Sequence, residues 1–217
     1  MKTAVRAVVL VLLGLGVFAQ PSGPAPAVLY EGARLIIGDA TPVIESGAFL
    51  VQDGQIRSVG ARGAVTAPAG AVHVDLTGKT VMPAMVNVHV HIGYEGYTTW
   101  QASNHTPENV FDHLQREAFY GVAATTSVGT SHTGQMLQFQ RDQRAGRWLP
   151  ASRLLFLPGM APPNGGPDAV LRVATNELHV VNEVTSAAEA RAAVRRMDAQ
   201  GIRHVKMWVD DRSGSYP

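Results

Sequence analysis

Two histidines one residue apart, His89 and His91, sit in the apolar run Met85-Val86-Asn87-Val88-His89-Val90-His91-Ile92, just after the break Gly78-Lys79-Thr80-Val81-Met82-Pro83. Successive side chains of a strand point to opposite faces, so the two imidazoles share one face while Val88 and Val90 take the other. Paired neutral imidazoles on one face make half of a metal site. Alternating histidines can also decorate a strand with one polar face. The flanks here are apolar, as in a strand covered on both sides, where two unpartnered imidazoles would be costly to bury. We therefore read His89 and His91 as metal ligands. Lys206 is the second signal, inside Ile202-Arg203-His204-Val205-Lys206-Met207-Trp208-Val209. A buried ammonium has to be neutralised, paired or modified. Taken alone, Lys206 reads as a side chain that snorkels to the strand end or pairs with Asp210 or Asp211. Beside a metal site, a lysine of depressed pKa can react with CO2 to give a carbamate, a carboxylate-like group able to bridge two ions.

The rest of the composition narrows the chemistry. Cysteine is absent from all 217 residues, which removes disulfides, thiolate ligands and thiol nucleophiles together. The net charge is only +1, with both signs interspersed, so no nucleic-acid partner is expected. Lys2 and Arg6 precede an apolar run from Ala7 to Ala19, followed by Gln20-Pro21-Ser22-Gly23-Pro24. A basic start, an apolar stretch of ~7–15 residues and a small residue at the cut make a secretory signal peptide. We expect residues 1–19 to be that peptide and 20–27 a linker. The mature chain would be exported, periplasmic or secreted, without a stable membrane anchor.

Two grammars follow along the chain. Residues 28–82 read as short strands separated by turns, with Asp53-Gly54 a hairpin turn, and form a small all-β module. Residues 83–217 alternate strand and helix. Strands are expected over Met85–Ile92, Val122–Val128, Arg153–Leu157 and Ile202–Val209. Thr106-Pro107 starts one helix, with Phe111, Leu114 and Ala118 on its inner face; Gln135–Ala145 is another. Ser186 with Glu189 forms a capping box ahead of the stripe Ala190, Val194, Met197, which Gly201 ends. Such units imply parallel strands with crossover helices. A doubly wound sheet would show a glycine-rich turn after its first strand, and none follows His91. The fold class is α/β: the N-terminal half of a TIM (β/α)8 barrel, which takes ~250 residues in full, preceded by the small β module.

Gly78-x-Thr80-Val81-x-Pro83 leading into His89-x-His91 resembles the first-strand motif of the amidohydrolase superfamily, closest to its imidazolonepropionase-like and prolidase-like members. The preceding module with Asp53-Gly54-Gln55-Ile56 resembles the family's small N-terminal β-sandwich segment. Gly121-Val122-Ala123-Ala124-Thr125-Thr126 resembles its second strand, and His204-Val205-Lys206-Met207-Trp208 the segment that carries a carboxylated lysine in binuclear members. The resemblance implies one or two divalent ions, usually zinc, with His89 and His91 on the more buried ion and carboxylated Lys206 bridging to a second. A water activated by the metal would attack a C–N bond in an amide, a peptide-like compound or a cyclic amide. The family usually has Gly where Ala84 stands and Asp where Asn87 stands; both positions lie outside the ligand set. Its remaining ligands, two later histidines and a catalytic aspartate, would lie beyond Pro217.

Segments that follow barrel strands line the active-site mouth, so Tyr94 and His132 are placed as substrate-binding residues. Asn164-Gly165-Gly166-Pro167 reads as a mobile loop over that mouth, and His73 and His204 as structural. His89-x-His91-x3-Glu95 also resembles the first metal motif of cupin barrels, but Pro83 and Ala102 stand where that motif wants glycine. The expectation is thus a metal-dependent hydrolase of a small-molecule amide or peptide, present as its N-terminal part, with homo-oligomer formation left open. The rival is a non-catalytic half-barrel, or a metal-binding and interaction module.

Overall fold

The computed structural model describes residues 26–163, 165–167 and 169–209. The expected signal peptide, most of the linker, and Asp210 and Asp211 lie outside the described residues. The chain divides into two compact units, one within Met1–Pro83 and one within Ala84–Pro217.

The first unit is built on β1 (Val28–Leu35), β2 (Ile44–Gln52), β3 (Gln55–Ala61), β4 (Val72–Asp75) and β5 (Thr80–Val81). They form one sheet in the order β3-β2-β1-β4, with β5 also on β1. The β1–β2 and β2–β3 pairs are antiparallel, whereas β4 and β5 join β1 in parallel. The β2–β3 hairpin turns at Asp53 and Gly54, both at positive φ, as the Asp-Gly pair predicts. Leu29, Ala48 and Leu50 pack with Val65 under the connection to β4, so one face of the sheet is covered. Ile56, Val59 and Met82 are exposed.

The second unit runs β6 (Met85–Val90), α1 (Pro107–Phe119), β7 (Val122–Val128), α2 (Thr133–Arg144), β8 (Arg153–Leu157), β9 (Gly159–Ala161), α3 (Ala169–Glu177), β10 (Val181–Glu183), α4 (Ala187–Ala199) and β11 (Lys206–Met207). Two parallel three-stranded sheets result, β6-β7-β8 and β10-β9-β11. Only Pro158, which has no N–H to donate, separates β8 from β9. Helices α1 and α2 cover the first of these sheets, burying Val110, Leu114, Met136 and Phe139 against Ile92, Leu154 and Phe156. Helix α4 covers the second through Ala193 and Met197 against Met160 and Ile202.

Helix starts follow local chemistry. Thr106 caps α1 by accepting from the Asn109 N–H, with Pro107 at the first helical position. Ser186 caps α4 by accepting from the Glu189 N–H at 3.2 Å. The reciprocal half of the expected capping box differs: the Glu189 carboxylate accepts from the N–H and hydroxyl of Thr185, one residue earlier. Those bonds hold the Glu189 carboxyl below its usual pKa.

Two expectations are corrected, and three elements are new. The last strand is only Lys206–Met207, because its pairing partner β9 is itself three residues long. Helix α3 and strands β9 and β10 lack a sequence signal strong enough to predict them. Gly165, Gly166 and Pro167 are buried rather than forming a loose cover, and Asn164 lies outside the described residues.

Candidate metal centre

His89 and His91 lie at the C-terminal end of β6, where a local irregularity controls their aim. Asn87 pairs with Thr125 and Val90 with Ser127, so β6 carries one more residue than β7 across this interval. Such a bulge breaks strict alternation and re-aims side chains. Asn87 reaches Glu117 on α1, and Val90 packs against the core under α1 and α2. Val88 does not follow Val90: it is 71% exposed and lines a cavity of about 500 Å³ with Thr126, Leu155 and Leu157. The strand is therefore not covered on both faces as its composition implied.

The two imidazole rings stand edge to face with centroids 5.3 Å apart. Two imidazoles bound to one tetrahedral zinc at ~2.0–2.1 Å would have ring centroids roughly 5 Å apart. The centroid spacing is the one a shared ion would require and also that of an ordinary edge-to-face ring pair. Nδ1 of His91 lies 3.0 Å from the Thr130 hydroxyl, the first side-chain oxygen beyond the Gly129 turn after β7. The Thr130 carbonyl accepts from the Tyr94 hydroxyl. Among the described residues, no three His, Asp or Glu side chains gather around a single point.

Lys206 comes to the same end of the parallel strands. Its backbone N–H donates to the Pro158 carbonyl at 2.9 Å, and its side chain runs so close to Gly129 that a Cβ there would sit 2.8 Å from the lysine Cγ. Gly129 adjoins Thr130, so the lysine stem and the partner of His91 flank one short turn. Nζ lies 5.4 Å from the centre of the Trp208 ring, within range of a cation–π contact.

The two expected substrate-binding residues part company. His132 is exposed and caps α2, its Nδ1 accepting from the Gln135 N–H. Tyr94 is fully buried, stacked on Trp100 at 5.1 Å and packed with Ala102 and Ala174. Burial pushes its phenol pKa well above the usual value. Its hydroxyl belongs to the Thr130 carbonyl, so Tyr94 supports the turn instead of facing a substrate.

Two further histidines are structural. His113 accepts from the Gly93 N–H and donates to the Glu95 carbonyl, which defines a neutral tautomer. His105 is buried with Nδ1 2.7 Å from the Gln135 side-chain oxygen, and burial lowers its pKa. Sequence reasoning missed Thr130 and the Asn87–Glu117 contact. The first was legible only as the residue one step beyond a turn glycine, the second not at all.

No protein-family model matches the chain. Enamidase from Eubacterium barkeri is 26% identical over 100 residues, which is 46% of this chain and 24% of that protein. A 5-methylthioadenosine/S-adenosylhomocysteine deaminase of Nitratidesulfovibrio vulgaris (strain DSM 19637 / Miyazaki F) is 44% identical over 66 residues, 30% of this chain and 15% of the relative. In fold, the chain is similar to a Xaa-Pro dipeptidase with methionine bound in its active site, with a TM-score of 0.65 at 18% identity over 83% of this chain and 46% of that one. The ochratoxinase of A. niger gives a TM-score of 0.65 at 14% identity over 84% and 46%. These likenesses bear out the resemblance to the amidohydrolase superfamily. The chain spans less than half the length of these superfamily relatives, from 15% of the deaminase to 46% of the dipeptidase and the ochratoxinase.

Proposed function

We propose that the chain supplies the first half of a TIM-barrel site in an exported, metal-dependent amidohydrolase that cleaves a C–N bond of a small amide or peptide-like substrate. The observation that carries this reading is the pair of imidazoles at a C-terminal strand end, with centroids 5.3 Å apart. Active sites of such barrels lie at that end of the strands.

His89 and His91 would hold the ion, zinc first. The Thr130 hydroxyl at Nδ1 of His91 would orient that ring, as outer-shell partners of ligating histidines do. When bound, the ion supplies a water of lowered pKa and polarises the scissile carbonyl. Lys206 would bridge to a second ion as a carbamate: neutral Nζ attacks CO2, an N–C bond forms, and one proton leaves to solvent. The stem of Lys206 beside Gly129 supports that placement. Fold likeness to the dipeptidase supports the prolidase-like branch. Substrates, oligomeric state and export belong to the same proposal.

Equilibrium dialysis of the purified chain against zinc, followed by elemental analysis, tests the reading. Stoichiometric zinc in the wild type and its loss in both His89→Ala and His91→Ala are expected. Equal zinc in the wild type and both variants would overturn it. For Lys206, mass spectrometry in bicarbonate buffer with metal should show one added CO2 that disappears on acidification.

A further inference from the structure

The bulge that aims His89 is held by a side chain that does not touch the expected ion. Asn87 uses both ends of its amide. Its Oδ1 accepts from the His89 N–H at 3.3 Å, and its Nδ2 donates to Oε1 of Glu117 on α1 at 3.1 Å. Residues 88 and 89 are the ones the β6–β7 ladder skips. A bulge interrupts strand pairing, so a side-chain acceptor there replaces a ladder partner. The half-buried Glu117 lies one turn beyond His113, which accepts from Gly93 and donates to the Glu95 carbonyl. Helix α1 is thereby tied to the strand before the histidine pair and to the segment after it.

We propose that Asn87 and Glu117 form a matched positioning pair that fixes the bulge, and through it the aim of His89. This inference deepens the metal-site reading above and rests on it for its consequence, though not for its geometry. The pairing also explains why an amide stands at position 87. A carboxylate could accept from His89 but could not donate to Glu117, and two carboxylates about 3 Å apart repel.

The test uses the full chain, cobalt(II) as the probe, and three variants: Asn87→Ala, Asn87→Asp, and the exchange Asn87→Asp with Glu117→Gln. The exchange keeps the net charge of the pair and reverses the donor and acceptor between strand and helix. Asn87→Ala and Asn87→Asp should weaken cobalt binding by about tenfold or more, the range typical of lost outer-shell partners, and alter the visible absorption of the ion. The exchange should restore the wild-type spectrum and most of the affinity. Tighter binding by Asn87→Asp alone would mean that added charge, not positioning, governs the site, and would overturn the proposal. So would an exchange variant no better than Asn87→Asp.

Hydrogen exchange at the His89 amide is read in parallel. It should quicken by about tenfold in both single variants and recover in the exchange. A wild-type chain with no cobalt absorption would sink the metal reading alone, because the amide pattern still decides the clamp. An unchanged His89 amide in Asn87→Ala would sink the clamp even if cobalt binds.

Discussion

Replacing Tyr94 with Phe removes one oxygen and nothing else, and it separates two roles that the sequence left joined. The hydroxyl is the hydrogen-bond donor to the Thr130 carbonyl, and the ring is fully buried against Trp100, Ala102 and Ala174. The phenyl ring keeps that packing. The loss is the hydrogen bond, together with the cost of a buried carbonyl left without this partner, about 1–3 kcal/mol. In a domain of this size such a loss lowers the melting temperature by roughly 2–4 °C per kcal/mol. Urea unfolding of the wild type and Tyr94→Phe, with equal slopes, gives the difference directly. Thr130 also meets Nδ1 of His91, so the turn is shared between core and site. Combining Tyr94→Phe with Thr130→Val should therefore give a non-additive loss, as expected of residues in one network. A Tyr94→Phe variant as stable as the wild type would refute the assignment of Tyr94 to support of the turn.

Other outcomes follow from individual contacts. His105 is buried and its pKa lowered by that burial, so the unfolded chain takes up its proton first. Stability on this account is full above the unfolded pKa of about 6.5 and declines as pH falls below it. Urea midpoints between pH 8 and pH 5 should show the decline, and His105→Leu should flatten it; an equally steep decline in His105→Leu would assign it to other groups. A Cβ on Gly159 would meet the Gly129 carbonyl oxygen at 2.4 Å and the Trp208 ring at 2.8 Å. Gly159→Ala should cost about 1–3 kcal/mol by overpacking and shift Trp208 fluorescence; wild-type stability with unchanged emission would contradict the packing of β9 against that turn.

Much of the organisation was written locally. The β6, β7 and β8 runs, the caps at Thr106 and Ser186, and the Asp53-Gly54 turn each rest on contacts between residues near in sequence, where propensity and capping chemistry act directly. The same is true of His89 and His91, whose spacing alone put both imidazoles at one strand end. What the sequence did not carry is everything decided by a partner far along the chain. Strand β11 is short because β9 offers it so few residues, and β9 and β10 are too brief for a periodic signal. The bulge at 88–89 depends on register with β7, and the Asn87–Glu117 bond on how α1 lies over β6. Tyr94 looked like a mouth residue because it follows a strand, yet burial assigned it to the core. Side-chain chemistry and local backbone preference thus picked out the candidate ligands. Only tertiary packing, through pairings between distant residues, decided where they point and what holds them.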